Sequence, residues 1–123
     1  MIILLILLHV KHFLADFPLQ TPYMLGKGKS GTDWILPLIA HCLVHASLSA
    51  LIIGIYRPEM IWIVSIEFLA HFIIDRLKVL YKLPVGQWPA EVRGQYLAKY
   101  YTAFGIDQLA HQLTYVLMVY LII

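Results

Sequence analysis

Four long apolar stretches, separated by short polar segments, dominate the pattern of hydrophobic and polar positions along the chain. They cover about residues 2–17, 34–56, 60–81 and 101–122. Most of them approach the roughly 20 residues that a helix needs to cross the hydrocarbon core of a bilayer. The pattern predicts an all-α protein in which residues 1–123 form a single integral-membrane domain, a bundle of four transmembrane helices.

The segment between the third and fourth apolar stretches has a different character. Residues 82–100 mix aromatic side chains with basic ones, and Pro89 stands where a proline can begin a helix. Such a segment is typical of an amphipathic helix that lies in the membrane interface. We therefore expect a short interfacial helix between helices 3 and 4.

Composition supports a membrane environment. Hydrophobic residues make up 61% of the chain and charged residues 13%, and the mean hydropathy is +0.78. These values are more apolar than those of an ordinary soluble domain, so we expect the lipid bilayer to be the main partner. The single cysteine, Cys42, excludes an internal disulfide and a zinc site with several cysteines.

Basic residues are distributed unevenly between the connections. Arg57 alone lies beside the second connection, whereas seven basic residues lie beside the first and third. The positive-inside rule predicts a multi-pass protein of the cytoplasmic (inner) membrane with both termini outside the cytoplasm. The seven are Lys27, Lys29, Arg76, Lys78, Lys82, Arg93 and Lys99.

Ionisable residues recur at four-residue steps inside the apolar stretches. Glu67, His71 and Asp75 do so in the third, and residues four apart on a helix are offset by only about 40°, so they share one face. Counted from the side of the first and third connections, the pairs on all four helices lie at similar depth, which predicts one polar layer in the cytoplasmic half of the membrane. The remaining pairs are His12 with Asp16, His41 with His45, and Asp107 with His111.

These residues predict a metal site. An Asp at the centre of a spanning helix costs roughly 2.5 to 3.5 kcal/mol, so buried carboxylates need compensation. Mixed His and carboxylate ligands suit Zn²⁺, Mn²⁺ or Fe²⁺, and inward-facing pairs on bundle helices build dinuclear sites. We expect two divalent ions, with zinc preferred. The predicted ligands are His12, Asp16, His41, His45, Glu67, His71, Asp75, Asp107 and His111.

A purely structural role is the alternative for this layer, with protonated histidines and carboxylates forming hydrogen bonds between helices. His9 is isolated and is expected to be a lone polar residue rather than a ligand. Lys11 and Lys78 are expected to snorkel or to form ion pairs.

Four runs of sequence, in this order, resemble a known family. They are His12-Phe13-Leu14-Ala15-Asp16-Phe17-Pro18-Leu19-Gln20-Thr21, His41-x-x-x-His45, His71-Phe72-Ile73-Ile74-Asp75-Arg76-Leu77-Lys78 and Asp107-Gln108-Leu109-Ala110-His111. Together they resemble the small integral-membrane proteins catalogued as domain of unknown function 3307, which occur in bacteria and their phages. The resemblance covers nearly the whole chain and implies Gln20 and Lys29 as further members of the polar set. It implies no established activity.

Three classes of function follow as hypotheses. The first is a metal-dependent hydrolase of a membrane-associated phosphoester or lipid, in which metal activates water and polarises the scissile group. Asp16 and Glu67 are its candidate catalytic bases, and Tyr115 or Lys78 would steady the leaving group.

The other two classes are a metal-binding carrier or sensor and a non-catalytic, phage-type membrane protein whose polar site is structural. The interfacial segment at the depth of the polar layer favours a lipid-linked substrate. No basic stripe with interleaved aromatics suggests nucleic acid as a partner. A homo-oligomer is left open.

Overall fold

Four α-helices and two short 3-10 helices form the described part of the protein. A computed structural model describes residues 1–80 and 93–123. The all-α class agrees with the sequence-based prediction. The helices are α1 (Ile2–Asp16), α2 (Ile35–Tyr56), α3 (Val64–Leu80) and α4 (Arg93–Ile122), and the 3-10 helices are Met24–Gly28 and Pro58–Ile63.

The four helices pack in a ring. Each contacts the next along the chain, and α4 returns to contact α1. Neighbours are antiparallel: on α1 and α4, His12 contacts Tyr115 whereas Asp16 contacts Gln108. The arrangement places the N-terminus of α1 and the C-terminus of α4 at one end of the bundle.

The bundle interior has two distinct halves. The half at the chain termini is an apolar core, in which Tyr115 is the largest buried side chain. The other half, towards the C-terminus of α1, buries histidines, carboxylates and a lysine. The apolar half contains Leu4, Leu8, Ile53, Ile63, Tyr115, Met118, Val119 and Ile122.

The third helix begins later than the sequence pattern predicts. Pro58 starts a 3-10 helix that runs to Ile63, and α3 follows it directly at Val64. Because proline lacks the backbone donor and fixes φ, the chain can turn tightly here before the α-helix begins. Helical structure of the two kinds nevertheless continues from Pro58 to Leu80.

The prediction of a separate interfacial helix at residues 82–100 is wrong for its second half. Residues 93–100 are the first turns of α4, which is 30 residues long. No proline occurs between Arg93 and Ile122, and an isolated glycine such as Gly105 lowers helix stability without ending the helix. Residues 81–92 of the predicted segment lie outside the described residues.

The outer surface of the bundle carries many large apolar side chains. Ile2, Phe13, Leu69 and Leu113 are more than half exposed, while the interior buries charged groups. Among the described helices, α2 alone is both long and apolar enough to be a candidate membrane span. α1 and α3, with 15 and 17 residues, are shorter than the roughly 20 residues that a membrane span requires.

Candidate metal centre

The polar half of the bundle brings together eight of the nine predicted ligands. They form three overlapping groups whose potential ligand atoms lie within 4.8 Å of one another. Four-residue spacing explains the convergence, because it directs both members of each pair toward the bundle axis. The eight are His12, Asp16, His41, His45, His71, Asp75, Asp107 and His111.

The first group consists of Asp16, His41, His45 and His71. The Nε2 atoms of His41 and His71 are 3.2 Å apart, and Asp16 Oδ1 lies 3.0 Å from His45 Nε2 and 3.3 Å from His41 Nε2. Tetrahedral Zn²⁺ with bonds of 2.0 to 2.1 Å separates its ligand atoms by about 3.3 Å. The group therefore has the donor types and spacing of a tetrahedral metal site.

The second group consists of Asp75, Asp107 and His111. His111 Nε2 lies 3.3 Å from Asp75 Oδ1 and 3.6 Å from Asp107 Oδ1. The other oxygen of Asp75, Oδ2, is 3.3 Å from His41 Nε2 in the first group. Asp75 thus reaches both groups and has the placement of a bridging carboxylate.

His12 links the groups from α1. It forms the third cluster with His71 and His111, and its Nε2 lies 3.1 Å from Asp16 Oδ2. The two oxygens of Asp16 therefore face different partners: Oδ1 faces His41 and His45, and Oδ2 faces His12. Like Asp75, Asp16 is placed to serve more than one ligand group.

Glu67, the ninth predicted ligand, belongs to none of the groups found among the described residues. It forms a buried ion pair with Lys11 and accepts a hydrogen bond of 3.0 Å from the Tyr115 hydroxyl. Lys11 also donates to the His45 carbonyl at 3.3 Å and is only 3% exposed. Of the two roles expected for Lys11, the structure shows ion pairing and not snorkelling.

Tyr115 connects Glu67 to His12. Its oxygen is 2.9 Å from His12 Nδ1. Because the hydroxyl proton is donated to Glu67, the oxygen is left to accept, and His12 Nδ1 must carry the donated hydrogen. A neutral His12 then has its lone pair on Nε2, directed at Asp16 Oδ2. Two acceptors 3.1 Å apart require a cation or a proton between them.

Two further lysines approach the carboxylates from the open end of the polar layer. Lys27 Nζ lies 2.5 Å from Asp75 Oδ2, and Lys78 Nζ lies 2.8 Å from Asp107 Oδ2. Lys78 is thus ion-paired, one of the two roles expected for it. Lys27 was not among the predicted site residues, because a lysine in a glycine-containing loop gives no helical spacing to place it.

A close approach between the first loop and α2 positions Lys27. A Cβ built on Gly26 would lie 3.1 Å from the Pro37 side chain, a contact tighter than most side chains make. The 3-10 helix Met24–Gly28 can therefore pack against the start of α2, with Met24 buried beneath it. This packing carries Lys27 to Asp75.

The two ring nitrogens of His41, His45 and His71 have different surroundings. The Nε2 atoms face the groups described above, whereas Nδ1 of His41, His45 and His71 are buried without a hydrogen-bond partner among the described residues. Both a hydrogen-bonded network and a metal centre ordinarily pair the second nitrogen of each ring, so these Nδ1 atoms do not distinguish the two. The polar contacts of these three rings are concentrated on the side where the ligand atoms converge.

A cavity of about 220 Å³ reaches this centre from the end of the bundle that carries the first loop. Asp16 and Asp75 line it together with Lys27 and Lys78. The polar layer is therefore accessible at its two shared carboxylates, beneath a partly cationic rim.

The other polar residues named in the sequence analysis differ in whether they reach the site. Gln20 lines the cavity and donates to the Asp16 carbonyl at 2.9 Å, whereas Lys29 is exposed. His9 lies outside the ligand groups, and its Nδ1 is 2.7 Å from the Leu5 carbonyl. Gln108, which was not predicted, contacts Asp107 and Asp16 at 3.1 and 3.4 Å.

Comparison with protein-family models identifies a family for this chain. Residues 3–123 match the family described as protein of unknown function DUF3307. No curated protein and no solved structure matches the chain. The family match spans almost the entire sequence, including every residue of the three ligand groups. The chain therefore belongs to the DUF3307 family.

Proposed function

We propose that the protein is a multi-pass protein of the cytoplasmic membrane, with the polar layer in the cytoplasmic half of the bilayer. The distribution of side chains supports this: large apolar residues cover the outside, and charged residues are inside. Such a distribution is expected where the surrounding solvent is lipid. Helical structure continues over Pro58–Leu80 and through α4, long enough for two spans besides α2, while the shorter α1 would require local thinning of the bilayer.

The second part of the proposal is a metal centre with two divalent ions, zinc being preferred and Mn²⁺ or Fe²⁺ also suited to the ligands. One observation supports it: potential ligand atoms from all four helices face one another at distances of 3.0 to 3.3 Å. Asp16, His41, His45 and His71 would hold one ion. Asp75, Asp107 and His111 would hold the other, with His12 completing the set.

The charge balance of the layer favours an anionic substrate. Three carboxylates are paired with lysines: Glu67, Asp75 and Asp107. With neutral imidazoles, Asp16, which is partly buried, is then the one carboxylate of the described layer without a lysine partner. One divalent ion reverses the resulting negative charge, and two ions make the layer strongly cationic. A phosphate or another anion entering the cavity would restore the balance.

We therefore propose a metal-dependent hydrolase of a membrane-associated phosphoester or lipid. Bound metal would supply electrophilic assistance and an activated water. Asp16 lines the cavity and is the better-placed base: its Oδ1 faces the other ligands of the first ion, which leaves Oδ2 for this role, whereas Glu67 is engaged by Lys11 and Tyr115. Lys78 also lines the cavity and is placed to stabilise a leaving oxygen.

The lysine pairs also support a second candidate, a structural role without metal. Lys11, Lys27 and Lys78 compensate three carboxylates by themselves, so buried charge alone does not require two ions. A carrier or sensor would use the same ligands. The cavity at Asp16 and Asp75 favours the hydrolase, because a purely structural site gains nothing from access.

The test is a turnover screen of metal-loaded protein in lipid against phospholipids, polyprenyl phosphates and soluble phosphoesters. Asp75→Ala and His111→Ala remove ligands, and His9→Ala is the matched control outside the groups. The proposal expects turnover in the wild type and His9→Ala and at least a 100-fold loss in the other two. Absence of turnover with Zn²⁺, Mn²⁺ and Fe²⁺, or equal turnover in all variants, would overturn the hydrolase proposal.

A further inference from the structure

A second cavity lies beside the first, on the lateral face between α3 and α4. Its volume of about 690 Å³ is within the range of roughly 300 to 1,000 Å³ that small-molecule sites occupy. Ile74 and Leu77 line it from α3, and Ile106 lines it from α4. The cavity is a mostly apolar groove along the side of the bundle, separate from the apolar core at the chain termini.

The sequence of α4 explains why the groove is open. Ala98, Thr102, Ile106 and Ala110 all line it and recur every four residues, so they share one face of the helix. Three of the four are small, and they leave space where larger side chains would fill the gap against α3. The groove therefore follows from the residue pattern of one helix face.

The groove is continuous with the polar cavity. Lys78, Lys99 and Ala103 line both. Lys99 is exposed, and about a third of the Lys78 side chain is accessible. Lys27 lines the polar cavity as well, so three lysines line the region where the apolar groove meets the polar cavity.

We propose that the two cavities form one binding site for a lipid phosphate that enters laterally between α3 and α4. An acyl chain lies in the groove, and the phosphate lies among Lys27, Lys78 and Lys99, next to Asp75. The match is one of amphipathic shape and charge: an apolar channel ends at a cationic pocket, as the tail and head of an anionic lipid require. This inference rests on the proposed function and names its substrate class.

The metal centre would strengthen the cationic end of this site. Lys27 and Lys78 are paired with Asp75 and Asp107, the carboxylates of the second ligand group. When those carboxylates coordinate metal, their charge is shared, and the two ammonium groups become available to a phosphate. Lipid binding should therefore be tighter with metal than without it.

The test uses the full chain in phosphatidylcholine nanodiscs with a phosphatidic acid probe carrying a photoreactive group on its acyl chain. We expect labelling at groove residues of α3 and α4, and competition by unlabelled phosphatidic acid. Ala98→Trp and Ala103→Trp fill the groove and should each reduce labelling about 10-fold. Val116→Trp, at an exposed position of α4 outside the groove, is the matched control.

Two further arms identify the chemistry recognised. A phosphatidylcholine probe with the same acyl chain should label several-fold less, and Lys99→Gln should reduce that preference. Equal labelling by both probes, or equal labelling of Ala98→Trp, Ala103→Trp and Val116→Trp, would overturn the lipid site. Competition by soluble glycerol phosphate as effective as that by phosphatidic acid would also overturn it, because free phosphate would then be the ligand.

The same variants separate this proposal from the hydrolase proposal. Metal content and turnover of a soluble phosphoester should be unchanged in Val116→Trp, since that exposed residue lines neither cavity. Specific labelling without any turnover would support the lipid site and contradict catalysis. Turnover of soluble esters without groove-dependent labelling would support catalysis and overturn the lipid site.

Discussion

In the proposed metal centre, His12 is oriented by its neighbours. Glu67, held by Lys11, accepts from Tyr115, and the Tyr115 oxygen lies at His12 Nδ1. With Tyr115 donating to Glu67, a hydrogen on His12 Nδ1 completes this chain of contacts and leaves Nε2 facing the ligand groups. Outer partners of this kind orient metal-binding histidines in many sites.

Removing the Tyr115 hydroxyl should weaken metal binding without removing a ligand. For Tyr115→Phe we expect a loss of about 10- to 100-fold in affinity, the range typical of lost outer-shell partners. Competitive chelator titration measures it. Tyr120→Phe, at a 75% exposed position, is the control. Identical affinities for the two variants would show that Tyr115 does not orient His12.

The Lys11–Glu67 pair gives a stability prediction. Lys11→Met leaves a buried carboxylate without its partner and should destabilise the fold by about 3 to 5 kcal/mol. The double variant Lys11→Met/Glu67→Gln removes the orphan charge and keeps an acceptor for Tyr115, so it should recover most of the loss. Denaturant unfolding in detergent compares them. Additive losses in the double variant would contradict the pairing.

Among the helices, four-residue spacing predicts which residues converge better than it predicts where each helix begins. The paired residues of all four helices converge as their four-residue steps predict, because that spacing fixes a common face whatever the helix ends are. Boundaries were less predictable. The first turns of α4 were assigned to a separate helix, since their aromatic and basic side chains resemble an interfacial segment although nothing breaks the helix.

Lysine partners were the least predictable part of the site. Lys27 reaches Asp75 across 48 residues of chain, and only the packing of a 3-10 helix on α2 brings it there. Glu67 had the right spacing for a ligand, yet Lys11 engages it from another helix. Helical periodicity shows which residues share a face, but it does not show which cation a carboxylate will meet.

The packing of the first loop can be tested at Gly26. Gly26→Ala places a methyl group 3.1 Å from Pro37 and should lower the thermal midpoint of unfolding. Gly105→Ala has open space around its Cβ and lies within α4, so it should stabilise the helix by about 0.5 to 1 kcal/mol. Midpoints are compared by thermal unfolding in detergent. An unchanged midpoint for Gly26→Ala would show that the loop packs loosely there.

The orientation of the protein in the membrane is predicted independently of the metal site. Because basic residues are concentrated beside the first and third connections, both termini should lie outside the cytoplasm. Fusions of a reporter active only in the cytoplasm and of one active only outside measure this at the C-terminus. Activity of the cytoplasmic reporter alone would reverse the orientation and place the polar layer in the outer half.

The central claim is that the polar layer is a metal centre, and elemental analysis of purified protein tests it most directly. We predict about two divalent ions per chain in the wild type and in His9→Ala. His71→Ala should lose most of this metal, because His71 belongs to two of the three ligand groups. Wild-type protein that stays folded without metal, and gains no stability from added Zn²⁺, Mn²⁺ or Fe²⁺, would contradict the claim.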